Sequence, residues 1–304
     1  MKVTLLDLDA SRFPNLALMK LAAWHKGKGD SVALNFPLGA DRGYASCVFS
    51  WHRDRLHTVP DTYQAGGAAL NGSVLPSEIE HQMPDYDLYG LDYSLGFTSR
   101  GCPRHCDFCL VPRKEGAVAP WSTIYEFWDP AHQRIRLLDN NLLAAPNWRT
   151  TLTDIHRERI AVEFTQGLDI RLLTPHKAET LRRLKLWGEL DFAFDDVAYE
   201  RAVHKGIEVL RTAGFTISRL SFFLLFRPET HSANDFRRLQ VMADYGVAVY
   251  PMFYTPLDAA RKGWTIPRQH NPDVGIPLVR GPRPQFLKLI RLLAWKLARE
   301  NEGT

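Results

Sequence analysis

Three of the four cysteines in this chain fall within eight residues: Cys102, Cys106 and Cys109, in the stretch SRGCPRHCDFCLVPRKEG (99–116). Thiolates bind soft metals and attack disulfides, so the spacing asks which chemistry is meant. A structural zinc site takes its ligands from two short-spaced pairs, and no second pair follows here. His105 adjoins Cys106, and so tight a loop would strain to fold both onto one ion. A dithiol redox pair needs only Cys-x-x-Cys and leaves Cys102 unexplained. Buried structural thiols are argued against by the intervening Arg104, His105 and Asp107. Iron–sulfur ligation remains. Three thiolates leave one iron of a four-iron cluster without a protein ligand. An open metal position marks a catalytic site rather than a structural one. Such an iron can chelate a small molecule that carries an amine and a carboxylate. The fourth thiol, Cys47 in YASCVFS, reads as a buried, inert residue of a strand.

The elements that must hold this loop can be read from periodicity. KVTLLDLD reads as a strand and PNLALMKLAAWHKGKG as a helix with a Gly-rich stop. SVALNF and YASCVFS are short β-rich runs, and AGGAAL marks a turn near Gly66 and Gly67. The Pro- and Tyr-rich LPSEIEHQMPDYDLYGLDYS reads as a connector. From about residue 92 the alternation becomes regular. The strand candidates are YSLGFTS, RIRLLD, AVEFTQ, LDFAFD, LSFFLLF and GVAVYPMF. Helices are expected near 121–128, 147–158, 175–187, 196–213 and 232–245. In TPHKAETLRRLKLW, Thr174 is the expected cap and Pro175 the first helical residue. The fold class is therefore α/β. A small Rossmann-like α/β domain over 1–90 precedes a partial (β/α)6 barrel of TIM type over 91–255. A basic extension with a C-terminal helix, RPQFLKLIRLLAWKLARE, occupies 256–304. Chemistry in such barrels sits at the C-terminal ends of strands, where the cysteine stretch falls.

Cys-x3-Cys-x2-Cys with an aromatic residue, Phe108, before the last cysteine resembles the signature of the radical S-adenosylmethionine (radical SAM) enzymes. The resemblance covers about residues 92–255. It implies that Cys102, Cys106 and Cys109 ligate three irons of a [4Fe-4S] cluster and that the backbone around Phe108 meets the adenine of S-adenosylmethionine. It implies reductive cleavage of that co-substrate to a 5′-deoxyadenosyl radical, which abstracts hydrogen from a substrate. It also implies an electron donor of flavodoxin or ferredoxin type. Asp139, Asn140 and Asn141 stand where the family often has Gly-Gly-Glu on the methionine amino group. They resemble the Asp-Asp-Asn variant of members with a cobalamin-type N-terminal domain; a carboxylate and amide carbonyls can accept from an ammonium. They also suit a helix-capping turn. Gln166, Asp169 and Arg171 follow the third strand, where an Arg can pair with the methionine carboxylate or a polar strand end can hold substrate. Asp195 and Asp196 reach the ribose or cap the next helix, with capping expected of Asp196. Arg227–Thr230 resembles the turn after the fifth strand, without that strand's glycines. Met252 and Tyr254 line a pocket or fill the core. The N-terminal domain resembles a cobalamin-binding one but lacks Asp-x-His-x-x-Gly in LDLDASRFPN, so a degenerate domain without cobalamin is expected.

Composition bounds the rest. No apolar run approaches a membrane span, and four cysteines in 304 residues make no disulfide framework. The start, MKVTLLDLDASRF, carries acids early and no apolar signal core, so a cytoplasmic protein is expected. A second cluster, as methylthiolation needs, is excluded with only Cys47 in the N-terminal part. The net charge is +4, but residues 261–299 hold nine basic side chains against Asp273 alone. With Trp264 and Trp295 this segment suits nucleic acid as a partner, or is a solvated face. Within the enzyme reading, a cobalamin-dependent methyltransferase and a nucleic-acid-modifying enzyme are the alternatives. An iron–sulfur sensor or binding protein without turnover is the alternative of another class. The substrate is not legible.

Overall fold

The computed structural model describes residues 1–10, 13–36, 39–227 and 230–254, with Leu289, Leu292, Leu293, Lys296, Leu297 and Glu300 beyond them. The chain runs β1 (Lys2–Asp7), α1 (Leu16–Gly27), β2 (Ser31–Leu34), β3 (Arg42–Ser46), β4 (Gln64–Gly66), α2 (Ser77–Glu80), β5 (Ser94–Gly96), β6 (Ser99–Arg100), α3 (Val111–Lys114) and β7 (Ala119–Pro120). It continues through β8 (Arg134–Leu137), α4 (Trp148–Arg157), β9 (Ala161–Phe164), α5 (Pro175–Arg182), β10 (Lys185–Leu186) and β11 (Leu190–Ala193). The last elements are α6 (Glu200–Thr212), β12 (Leu220–Phe226), α7 (Ser232–Tyr245) and β13 (Ala248–Phe253). These elements fall into two compact units, Met1–Thr98 with Trp121–Leu138 and Ser99–Pro120 with Asp139–Thr304.

The first unit is built on a parallel sheet in the order β2-β1-β3-β4. Asn15 opens α1 by accepting from the Leu18 backbone N–H. The helix then lays Leu18, Leu21 and Ala22 on Val3 and Leu5 of the central strand, with Ile79 beside them. β5 and β8, expected as the first two barrel strands, pair in parallel within this unit.

In the second unit β11, β12 and β13 form a parallel sheet. β12 reads LSFFLLF, and six of its seven residues are buried. Such continuous apolar runs belong to strands covered on both faces. β9 pairs with β10 in parallel. α5 starts as expected: Thr174 accepts from the Lys177 N–H and Pro175 occupies the first turn. Gly246, left-handed at φ 68°, ends α7.

Two expectations change, and one element appears where none was expected. The helix expected over 121–128 is a single 3-10 turn, Ile124–Glu126; a Thr123/Glu126 capping box closes it, and Pro130 disfavours helix at the preceding residue. The helix expected over 175–187 stops at Arg182, because Lys185 and Leu186 pair with Ala161 and Val162 instead. Ser50–Thr58 forms a 3-10 helix that no apolar period announces. Of the C-terminal helix, Leu289, Leu292, Leu293 and Lys296 are helical and buried. Leu297 is helical and exposed; the rest of the basic 261–299 segment, with Trp264, Phe286, Ile290 and Trp295, lies outside the described residues. Among the described residues no helix is long and apolar enough to cross a membrane.

Candidate functional site

β6 and β7 pair antiparallel, Ser99 with Pro120 and Arg100 with Ala119, and so close the base of the cysteine loop. The closure depends on Gly101. Its φ is +82°, and a Cβ there would stand 2.3 Å from the Ala117 carbonyl oxygen. The Cys102 N–H donates to the Gly116 carbonyl at 3.2 Å, and the Cys109 N–H to the Cys106 carbonyl at 3.1 Å. All three loop thiols are free and half-buried, whereas Cys47 is fully buried. Burial pushes the Cys106 and Cys109 thiols up; the Arg171 charge opposes this at Cys106, and the Cys102 thiolate adds to the rise at both.

The turn after β8 is stitched to this loop. Asp139 accepts from the backbone N–H and the hydroxyl of Ser99, each at 2.6 Å. Asn140 accepts from the Gly101 N–H at 3.0 Å. Asn141 is buried, and its amide donates to Cys102 Sγ at 3.4 Å and to Asp169 at 3.3 Å. The Arg104 N–H also donates to Cys102 Sγ, at 3.4 Å. Asn141 Oδ1 is buried and has no hydrogen-bond partner among the described residues, an acceptor with capacity to spare. Asn141 does sit at the cap position of the 3-10 turn Leu142–Ala144, but its side chain makes no cap bond.

Asp169 is the hub of the third strand end. It accepts from Arg104 Nε at 3.0 Å and from the backbone N–H, Nε and Nη2 of Arg171 at 3.1, 2.6 and 3.0 Å. Burial alone would raise the Asp169 pKa, but Arg171 and Arg104 hold the carboxyl below its ordinary value. Arg171 lies over the Tyr199 ring at 4.1 Å. A second link crosses 120 residues: Arg227 Nη1 donates to both carboxylate oxygens of Asp107, at 2.9 and 2.8 Å, and its guanidinium lies 5.1 Å from the centre of the Phe108 ring. Asp196 caps the following turn by accepting from the Ala198 N–H, and Asp195 accepts from the Leu225 N–H.

The fold thus gathers Cys102, Cys106, Cys109, Phe108, Asp139, Asn140, Asn141, Asp169 and Arg171 on adjoining turns. It leaves Gln166 exposed beside Gly167 and Met252 exposed on β13, with no contact tying either to this network among the described residues. Pro228 and Glu229 of the turn after β12 lie outside those residues. The Arg104–Asp169 and Arg227–Asp107 pairs have no local signature in the sequence. Their only signal there is opposite charges in the loop and at distant strand ends.

Among the described residues no three His, Cys, Asp or Glu side chains converge on one point as the ligands of a single ion. Thiolates on one zinc would stand about 3.8 Å apart, from the ~2.3 Å metal–sulfur bond and tetrahedral angle. A cluster hands each thiolate a different iron and does not require that closeness. Three half-buried thiols on one loop, with the Arg104 and Asn141 N–H groups on Cys102 Sγ, are a donor set of the kind that holds an iron–sulfur cluster.

No protein-family model and no curated protein matches this chain. A solved structure is similar: the cobalamin-dependent S-adenosylmethionine radical enzyme OxsB, with aqua-cobalamin and S-adenosylmethionine bound. The likeness has a TM-score of 0.50 at 12% identity over 83% of this chain and 53% of that one. The chain therefore spans about half the length of that enzyme, and at this identity what the two share is the fold, a mixed α/β architecture with parallel sheets.

Proposed function

We propose that this chain is a radical SAM enzyme whose partial (β/α)6 barrel, over 91–255, holds a [4Fe-4S] cluster on Cys102, Cys106 and Cys109. The observation that carries the reading is the pairing of three half-buried thiols on one loop with the orphaned Asn141 Oδ1 beside Cys102. Bound there, a cluster supplies the electron that cleaves S-adenosylmethionine. The protein's own part is to hold and shield. Asn141 Oδ1 accepts from the ammonium of the methionine moiety, with Asp139 and Asn140 fixing that turn to the loop. The Asp169 carboxylate, kept ionised, orients Arg104 on the loop and Arg171 over Tyr199. Phe108 offers its backbone to the adenine. Gln166 and Met252 are kept as co-substrate contacts on the family resemblance alone. An electron donor of flavodoxin or ferredoxin type, a cytoplasmic setting and an N-terminal domain without cobalamin complete the reading. The fold likeness and the site chemistry support it, and the substrate class stays open, with nucleic acid one choice.

Protein reconstituted anaerobically with iron and sulfide should bind about four irons per chain and, with reductant, release 5′-deoxyadenosine from S-adenosylmethionine. Cys106→Ala should lose the cluster and at least about 100-fold in cleavage. A full cluster with no cleavage would sink the enzyme reading in favour of a sensor. Full iron binding by Cys106→Ala would sink the ligand assignment.

A further inference from the structure

At the start of β9, away from the cysteine loop, the second unit has an open cleft of about 460 Å³. β9 separates the two, since Asp169 follows its C-terminal end while the cleft is lined by Ile155, His156, Arg157, Arg159 and Ile160 before it. The buried side chains of Ile155 and Ile160 form its floor. Arg157, Arg159, Arg183 and Lys185 form its walls, and no acidic residue lines it. Arg157 is neutralised by Asp154 at 2.8 Å and Glu158 at 3.4 Å. Arg159, Arg183 and Lys185 are exposed and have no acidic partner among the described residues. The His156 Nδ1–H donates to the Arg183 carbonyl at 3.0 Å, which fixes the ring beside the cleft.

Part of this charge answers the C-terminal ends of α4 and α5, where cations are favourable. That account does not reach Arg159. It stands just past α4, at φ +56°, with its N–H on the His156 carbonyl and the Ile160 N–H on the Ile155 carbonyl. This is the left-handed position after a helix that Gly normally fills, and any other side chain costs stability there. A guanidinium held in an unfavourable conformation, on the lip of a concave site with two further unpaired cations, is an arrangement that costs folding energy and suits a multivalent anion.

We propose that this cleft binds the phosphate of a phosphate ester, from a free nucleotide or from a nucleic-acid backbone. Guanidiniums match phosphate oxygens two at a time. The site is independent of the cysteine loop and stands or falls without it.

The test compares wild type, Arg159→Gly and Arg183→Gln/Lys185→Gln, each as the full chain. The probes are adenosine monophosphate by calorimetry and a fluorescein-labelled 12-nucleotide single strand, as DNA and as RNA, by anisotropy across a salt series. The basic 261–299 segment is common to all three proteins and cancels in the comparison. Arg159→Gly should melt no lower than wild type, since glycine relieves the left-handed residue, yet bind about five- to tenfold more weakly. The slope of log affinity against log salt should fall by about 0.7 for each cation removed. Weaker binding of the mononucleotide identifies a free phosphate ester as the source. Weaker binding of the oligonucleotide alone identifies nucleic acid. Equal affinities of all three proteins for every probe overturn the proposal. Should Arg159→Gly fail to fold, the double variant, altered only at exposed side chains, decides the matter alone: weaker binding supports the cleft, and wild-type affinity for every probe overturns it.

Discussion

Both units end parallel strands in acidic turns, and the two turns use their acids differently. In the first unit, Asp7 accepts from the N–H groups of Asp9 and Ala10 and from the Tyr89 hydroxyl. Asp9, also buried, accepts from the N–H groups of Val48 and Phe49 at 2.7 and 3.1 Å and from His52 Nδ1 at 3.1 Å. Arg55 ties the same turn by donating to the Leu8 and Asp9 carbonyls. At the Gly-Gly turn the backbones approach closely, since a Cβ on Gly67 would stand 2.2 Å from the Cys47 carbonyl oxygen, while the other side of the turn lines an open pocket of about 440 Å³. At the ends of β1 and β3, where an open α/β sheet usually binds its ligand, both acids are therefore satisfied by the chain's own groups among the described residues. In the second unit, the corresponding turns leave Asn141 Oδ1 unsatisfied and three thiols half-exposed. A strand end that satisfies itself is structure, while one with groups left over has room for a partner.

The largest effect that separates them is at Asp9. Asp9→Ala strands two backbone N–H groups and frees His52. At about 1–3 kcal/mol per buried unsatisfied group, the loss should be about 3–4 kcal/mol. Urea midpoints measure it. Asn141→Ala removes an orphan together with two weak donations, so it should cost about 1 kcal/mol or less while weakening S-adenosylmethionine binding about tenfold. A stable Asp9→Ala protein, or an unstable Asn141→Ala one, would break the contrast.

Much of this was legible and part of it could not have been. β9, β11, β12, β13 and α4 to α7 were visible because apolar period and local caps, such as Thr174 with Pro175, act over a few residues. The cysteine spacing was visible because ligation by one short loop is also local. The 3-10 helix at Ser50–Thr58 was not, because Asp9 and Arg55, 46 residues apart, hold it in place of an apolar face. The role of Asp169 was hidden for the same reason. Its partner Arg104 lies 65 residues away, and no periodicity records a pair of that separation.

A second difference is electrostatic. The second unit also carries a carboxylate that folding disfavours: Asp191 on β11, opposite Ser221 of β12. Burial pushes its pKa up to about 6; the hydrogen bond with Ser221 opposes the rise and the charge of Glu163 adds to it. The unfolded group titrates near 3.9, so the folded state resists ionisation by about 2 pH units, or about 2–3 kcal/mol. Its contribution is fully present below about pH 4, is lost as pH rises towards 6, and is absent above that. Asp191→Asn should therefore raise stability by about 2 kcal/mol at pH 7.5 and by almost nothing at pH 4. The difference between the two proteins' urea midpoints across pH 4–7.5 reads this directly. A difference independent of pH would mean that Asp191 is satisfied after all, and that the second unit stores no such cost.

The smallest effect sharpens what holds the open site in shape. Asp107 is 77% exposed and Arg227 21%, so their pair adds little to global stability, at most about 1 kcal/mol. Its effect is local, because it joins the tip of the cysteine loop to the end of β12 and sets a guanidinium on Phe108. Arg227→Ala should leave the urea midpoint nearly unchanged while amides 104–109 exchange several-fold faster in protein free of iron. Arg227→Lys, which keeps the charge but loses the two-pronged geometry, should restore only part of the protection. Full protection in Arg227→Ala would show that Gly101 and the β6–β7 closure already fix the loop. The second unit would then keep its open site ordered from the loop's base alone, much as the first unit keeps its turn ordered by local bonds.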